Sequence, residues 1–291
     1  FGAALLNAVC VDVNWRLAAP EVLYVVNDCE AKVLVVGVEF VPILDAIADE
    51  LLHVVEIVVI EGADGIEHPM HEAYGPWIER HQPTDPGIVS APDDVALQLY
   101  SSGTTGLPKG AMLSTSNMLA LFPVAKEIWE FSADSVNLVA MPLFHIGGGG
   151  WALAGLTEGC VSVIVRNLEP AELVQLHGDR GITHAFLVPA VLQFRLMVPG
   201  VEDADFSTLD IVVYGASPIS EDVLVKSLEV FDCKFWQAYG LTETTGTVVN
   251  LAPADHDPTG PNRHRLRSCG RAGPGVELRI VDTDTGADVG Q

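Results

Sequence analysis

Basic residues are scarce: 15 lysines and arginines stand against 39 aspartates and glutamates, a formal net charge of −24 over 291 residues. That shortage argues against nucleic acid and anionic membrane surfaces as partners, because both require a basic footprint. It leaves nucleotide substrates open. Screening over about 8 Å at physiological salt means that a phosphate is held by the donors immediately beside it. Paired cysteines are lacking too. Cys10, Cys29, Cys160, Cys233 and Cys269 are scattered, odd in number and never spaced as CxxC, which speaks against structural zinc and fits a reducing, cytoplasmic compartment. Long apolar runs are also missing. Val54 to Ile60 is broken by Glu56 and falls far short of the roughly 18 residues that cross a bilayer. No transmembrane segment is expected, and only peripheral membrane contact stays open. The opening Phe1-Gly2-Ala3-Ala4-Leu5-Leu6 has neither methionine nor the basic and cleavage regions of a secretory leader, and it reads as the middle of a domain.

What is present is a globular composition, with 49% hydrophobic and only 19% charged residues, enough to bury a substantial core. Val33 to Val38 and Val54 to Ile60 are short β-branched runs. Between them Val41, Leu44, Ile47, Ala48 and Leu51 recur at helical spacing, which predicts a helix over 39–52 and a β-α-β unit. A polar stretch with Pro69, Pro76, Pro83, Pro86 and Pro92 then reads as a connection. From Val95 strands and helices alternate. Strands are expected at 96–100, 136–141, 161–165, 184–188, 209–214 and 234–238, with helices at 116–131, 150–156, 170–180, 189–198 and 220–231. Ser220 is the candidate N-cap of the last, followed by Glu221 and Asp222. The fold class is therefore α/β, with doubly wound, mostly parallel sheets in two subdomains. The expected divisions are 1–92 for a partial first subdomain with its Pro-rich connection, 93–250 for a second, and 251–291 for the start of a β subdomain, where Gly275 to Val281 alternates like a strand.

The chemistry concentrates in four segments, each following an expected strand, where open α/β sheets bind ligands. In Ser101-Ser102-Gly103-Thr104-Thr105-Gly106-Leu107-Pro108-Lys109-Gly110, glycines admit backbone N–H groups to an anion, hydroxyls add donors and Lys109 adds positive charge. It is not a Walker A loop, since Pro108 stands in place of the second glycine and Gly110 in place of the magnesium-binding hydroxyl. A flexible polar surface loop is the alternative. Phe144-His145 precedes Gly147 to Gly150, where something bulky could lie, unless His145 is simply a core histidine beside a turn. Tyr214-Gly215-Ala216-Ser217 permits close approach of a flat ring, or is a tight turn. Tyr239-Gly240-Leu241-Thr242-Glu243 gathers stacking, phosphate-contacting and magnesium-ligating residue types, or is a capped turn.

In this order and spacing the four segments resemble the adenylate-forming, AMP-binding enzymes, which include acyl-CoA synthetases, peptide-synthetase adenylation domains and firefly luciferase. Val13-Asn14-Trp15-Arg16-Leu17-Ala18-Ala19-Pro20-Glu21 and Gly273-Pro274-Gly275-Val276-Glu277 resemble the family as well, so the likeness covers essentially the whole chain and leans to the medium- and long-chain fatty acyl-CoA synthetases. It implies attack of a carboxylate on the α-phosphate of ATP, release of pyrophosphate, and displacement of AMP by coenzyme A. It also implies roles. Ser101, Ser102, Gly103, Thr104, Thr105, Gly106 and Lys109 would hold the β- and γ-phosphates, and Ser101 with Glu243 would hold Mg²⁺. Thr242 would contact the α-phosphate, Tyr239 with Gly240 would meet the adenine, Gly215, Ala216 and Ser217 would line the adenine and acyl pocket, and His145 would sit by the substrate carboxylate.

Amino-acid-activating relatives carry an aspartate where this chain has His145, because a buried ammonium must be paired. Its lack, with Gly147 to Gly150 leaving room for a tail, favours an apolar, fatty acid as the small-molecule partner. The chain departs from the family at Asp12 and Thr115, often proline and histidine. The family's ribose-binding aspartate, hinge and C-terminal lysine domain are not among these residues, and the 291-residue piece alone is expected to adenylate very poorly. A ligase that loads a carrier protein and a non-catalytic nucleotide-binding remnant are the competing readings.

Overall fold

The computed structural model describes residues 2–60, 71–102 and 106–289, and its contacts divide the chain into two compact units, Phe1–Thr115 and Ser116–Gln291. The first unit opens with α1 (Gly2–Leu5), β1 (Cys10–Val11) and α2 (Ala19–Asp28). Pro20 stands in the first turn of α2, and the Glu21 carboxylate accepts from the Ala18 N–H at 2.8 Å, satisfying one of the donors a helix start leaves over. Next come β2 (Val33–Gly37), α3 (Val41–Asp45), β3 (Glu56–Ile60), β4 (Glu72–Ala73), α4 (Tyr74–Glu79), β5 (Val95–Ser101) and β6 (Lys109–Ser114). β2, β3 and β4 form one parallel sheet, while β5 pairs parallel with β1 and antiparallel with β6.

Two sequence expectations change here. Val41, Leu44 and Ile47 are buried as their spacing demands, but 39–52 is not one helix. Pro42 sits in the first turn of the five-residue α3, which is flanked by 3₁₀ turns at Val38–Phe40 and Ala48–Glu50, since proline cannot donate to a helix entering from Glu39. The β5–β6 hairpin, assigned by sequence to the second subdomain, groups by contact with the first unit, because β5 is bonded to β1.

The second unit follows the expected alternation: α5 (Thr115–Glu127), β7 (Val136–Val139), α6 (Ile146–Thr157), β8 (Val161–Ile164), α7 (Pro170–Arg180), β9 (His184–Leu187), α8 (Pro189–Leu196), β10 (Ile211–Gly215), α9 (Glu221–Phe231), β11 (Lys234–Leu241), β12 (Gly246–Leu251) and β13 (Arg271–Ala272). Its seven-stranded sheet runs β13-β12-β11-β10-β9-β7-β8, antiparallel only at β11–β12 and β12–β13. All five residues of β10 are buried, as a central parallel strand covered on both faces requires. α7 stops at Gly181, whose φ of 60° is the left-handed geometry of a helix C-terminus. The Ser220 hydroxyl caps α9 by accepting from the Val223 N–H at 3.4 Å. Together the two units make a mixed α/β fold with mostly parallel sheets.

Gly275 to Val281 forms no strand. Only an isolated bridge between Val281 and Asp288 occurs, and Leu278 and Ile280 are exposed, because no neighbouring strand among the described residues takes up the alternation. No described helix is long and apolar enough to cross a membrane, and none of the five cysteines is disulfide-bonded.

Candidate active site

In the first unit, the hairpin of β5 and β6 carries the phosphate-loop candidates, with Ser101 and Lys109 as its last cross-strand pair. Gly103, Thr104 and Thr105 lie outside the described residues. Ser101 is half-buried, and Ser102, Gly106 and Lys109 are exposed. Gly106 has φ +134°, a region side-chain-bearing residues rarely enter. At Gly110 two side chains fold across the backbone: a Cβ there would lie 2.1 Å from the Gln98 amide nitrogen and 3.0 Å from the Tyr100 ring, both of which would have to shift.

In the second unit, the other candidates lie at or after the carboxyl ends of β7, β10 and β11, the edge at which α/β sheets bind ligands. After β7 the chain passes the buried Phe144 to His145, which is exposed and is the N-cap of α6. The His145 carbonyl accepts from the N–H groups of Gly148 and Gly149, both at 2.9 Å, and its ring meets Phe144 edge-on at 4.5 Å. His145 is thus a surface residue, not a core one.

The glycines do not form an open turn; they are the first turn of α6, and protein atoms crowd them. A Cβ at Gly148 would lie 2.1 Å from the Pro142 carbonyl oxygen, at Gly149 2.8 Å from that of Leu143, and at Gly147 2.9 Å from the Phe186 ring. At Gly148 and Gly149 the room expected for an apolar tail is therefore taken by the backbone of the preceding turn, and at Gly147 by the Phe186 side chain. Trp151, the next residue of α6, is buried, with its indole N–H on the Leu138 carbonyl at 3.1 Å.

β10 and β11 pair so that Gly215 stands beside Ala238, the neighbour of Tyr239. A Cβ at Gly215 would come 2.1 Å from the Ala238 carbonyl oxygen, so only glycine allows the two strand ends to approach this closely. Ala216 follows with φ +65°, and both it and Ser217 are exposed. Tyr214 anchors this corner from within. His256 Nδ1 donates to the Ala252 carbonyl at 2.9 Å, so its Nε2 accepts from the Tyr214 hydroxyl at 3.0 Å. Burial lowers the His256 pKa and raises that of Tyr214, keeping both neutral.

The last motif is the turn of the β11–β12 hairpin. Tyr239 is half exposed, and the ladder slips between Tyr239 and Gly240, where a Cβ would fall 1.6 Å from the Gly246 carbonyl oxygen. Thr242–Thr244 is a 3₁₀ turn whose Thr244 hydroxyl accepts from the Leu241 N–H at 2.9 Å. Thr242 is half-buried and Glu243 exposed. Glu243 borders a cleft of about 290 Å³, whose other walls are α5, through Asn117 and Leu121, the strand residues Thr247 and Asn250, and the segment Gly273-Pro274-Gly275. Gly273 is tied to β12 by its N–H to the Val248 carbonyl at 2.8 Å. Of the described sequence candidates in the second unit, Glu243 alone lines this cleft; His145, Gly215, Ala216, Ser217, Tyr239 and Thr242 do not. The sequence singled out Gly273 to Glu277 without giving it a role, and nothing in it pointed to the face of α5.

Among the described residues no group of three or more His, Cys, Asp or Glu is placed to hold a metal. A magnesium ion that arrives with nucleotide phosphates needs only one or two protein carboxylates, and the exposed Glu243 beside the cleft suits that use.

The sequence matches the AMP-binding enzyme family over residues 1–291. It is 39% identical over 287 residues to the fatty acid–[acyl-carrier-protein] ligase ScoC of Streptomyces coeruleorubidus, covering 97% of this chain and 52% of that protein. To the indoleacetate–CoA ligase of Aromatoleum aromaticum it is 32% identical, covering 99% and 54%. The fold superimposes with a TM-score of 0.89 on the anthranilate CoA ligase AuaEII in complex with anthranoyl-AMP, at 24% identity, over 99% of this chain and 54% of that one. The chain spans about half the length of the curated relatives it matches.

Proposed function

The chain belongs to the AMP-binding enzyme family, and from that premise we propose that its protein activates an apolar carboxylic acid with ATP and passes the acyl group to a thiol. A carboxylate oxygen attacks the α-phosphorus as the bond to pyrophosphate breaks. The thiol sulfur then attacks the acyl carbonyl carbon, losing its proton as the bond to AMP breaks. Two anions must meet in the first step, so donors and positive charge at the phosphates have to lower their repulsion. Lys109 and the hydroxyls of Ser101, Ser102, Thr104 and Thr105 are the proposed donors to the departing phosphates, with Gly103 and Gly106 giving backbone access. Thr242 is the proposed contact of the α-phosphate. Tyr239 and Gly240 are assigned to the adenine, Gly215, Ala216 and Ser217 to the adenine and acyl group, and His145 to the acid. Glu243, with Ser101, is assigned to Mg²⁺, which when bound neutralises phosphate charge.

The observation that carries this reading is the conjunction of a match along the whole chain with an exposed Glu243 on a 3₁₀ turn that lines a cleft. Coenzyme A is the proposed acceptor. The second reading, a carrier protein, draws its support from the 39% identity to a carrier-protein ligase.

Acid-dependent exchange of labelled pyrophosphate into ATP by the intact protein tests the first step. Fatty and aryl acids are expected to support exchange, and activation of amino acids alone would overturn the substrate assignment. Glu243→Gln is expected to lower the exchange rate about a hundredfold, the scale on which a charge-stabilising group acts. Thioester formation with coenzyme A or with a phosphopantetheinylated carrier then decides the acceptor.

A further inference from the structure

α2 presents Tyr24 and Asp28 four residues apart, one above the other on the same face. The Tyr24 hydroxyl donates to the Pro108 carbonyl at 3.0 Å. The Asp28 carboxylate accepts from the Tyr100 hydroxyl at 2.5 Å, and the Gln98 amide donates to the same phenol oxygen at 3.3 Å. Pro108 immediately precedes Lys109, and Tyr100 immediately precedes Ser101. One helix face therefore grips the chain where it leaves β5 and again where it enters β6. The second grip falls beyond Ser101 and Lys109, the last ladder pair, where strand pairing no longer dictates the backbone path. Proline has no N–H with which to secure itself there.

Resting on the adenylating role proposed above, we infer that Tyr24 and Asp28 are positioning residues, a two-point clamp that holds Tyr100 and Pro108, and with them the adjoining Ser101 and Lys109, for the grip on the ATP phosphates. Neither side chain is assigned a contact with substrate. Burial, with the Asp28 carboxylate adding to it, raises the Tyr100 pKa, so the phenol stays a donor across the working pH range.

Tyr24→Phe removes one oxygen and tests the clamp in the intact protein. The KM for ATP is expected to rise about threefold to tenfold, the value of one hydrogen bond, with the KM for the acid and the unfolding midpoint unchanged. Asp28→Ala is expected to act in the same direction, and Asp28→Asn, which keeps an acceptor for Tyr100, to restore most of the loss. An unchanged KM for ATP in both Tyr24→Phe and Asp28→Ala, or equal rises for ATP and acid with a lower midpoint, would overturn the inference. Amide hydrogen exchange over residues 106–112 provides a readout independent of catalysis. It is expected to accelerate in Tyr24→Phe while the rest of the chain keeps its rates, and unaltered exchange there removes the clamp. A wild type with no ATP-dependent activity would fail the functional proposal, and the exchange measurement would still decide the contact.

Discussion

Gly148→Ala is expected to destabilise the second unit by about 3 kcal/mol or more, the upper range for forcing atoms into a filled core. The corresponding fall in melting temperature is about 6–12 °C for a unit of this size. Helix propensity predicts the reverse, since alanine in a helix interior is favoured over glycine by about 1 kcal/mol. Contact decides the sign. The new methyl would lie 2.1 Å from the Pro142 oxygen and 2.5 Å from that of Met141, and backbone oxygens cannot swing away as a side chain can. Gly150 is the internal control. Its Cβ would meet only the ends of Ile146 and Leu121, at 3.3 Å, so Gly150→Ala should change stability by less than about 1 kcal/mol. Thermal unfolding of the two variants checks the ranking, and a Gly148→Ala protein as stable as Gly150→Ala would show that α6 does not seat on the Met141–Leu143 turn as described.

Acid is expected to loosen the second unit well above the carboxylate range. His177 on α7 is fully buried, with neither ring nitrogen hydrogen-bonded to protein, its ring edge-on to Phe206 at 5.3 Å. Burial, with the Arg195 charge nearby, lowers its pKa from 6.5 to about 3. An unfolded histidine therefore takes up its proton several pH units before the folded one. Between these limits the unfolded chain binds more protons, and stability falls as the pH falls. The loss from this residue is about 2 kcal/mol by pH 5 and about 4 kcal/mol near pH 3, relative to pH 7.

His184 and His256 are lowered by burial too, and they act with the same sign. Denaturant midpoints at pH 7.5 and 4.5 for the wild type and His177→Leu separate this effect from the carboxylate background, which both proteins share. The variant should be less pH-sensitive and at least as stable at neutral pH, since leucine leaves no buried nitrogen unpaired. Equal slopes would refute the assignment. Arg195, itself buried with its guanidinium 4.7 Å over the Phe231 ring and 5.6 Å from that of Phe206, is the neighbouring charge, and Arg195→Met should move the His177 titration to higher pH.

Much of the second unit was legible because its parallel strands are short apolar runs separated by amphipathic helices. The periodic stretch Pro170–Arg180 is α7 itself, and Ser220, a capping residue type before two acids, caps α9. What was not legible depends on distant atoms. The glycines after His145 look permissive in sequence, yet the space beside Gly147, Gly148 and Gly149 is filled by Phe186, Pro142 and Leu143. The Tyr239–Glu243 motif suggests a strand followed by a loop, but β11 extends through Leu241 and folds back into β12, a hairpin whose turn, at Thr242 to Thr245, lacks the usual Asn-Gly signal. At the C-terminal side, alternation in Gly275 to Val281 was real, and only a partner strand could have turned it into sheet. The cleft is not legible in the sequence because its walls come from α5, β12 and the Gly273 segment, which are far apart in the chain.

The aromatic core of the second unit has an optical consequence. Trp129 and Trp151 lie 5.1 Å apart, ring centre to ring centre, with Phe131 4.9 Å from Trp151. Two indoles so close couple their strong short-wavelength transitions, giving a paired circular-dichroism band that neither would produce alone. Trp15 and Trp77 of the first unit stand apart from that pair in the sequence and have their own contacts, with Phe40 and with Tyr74. The band therefore reports on the second unit alone, offering a label-free view of one half of the chain while the other binds, moves or melts.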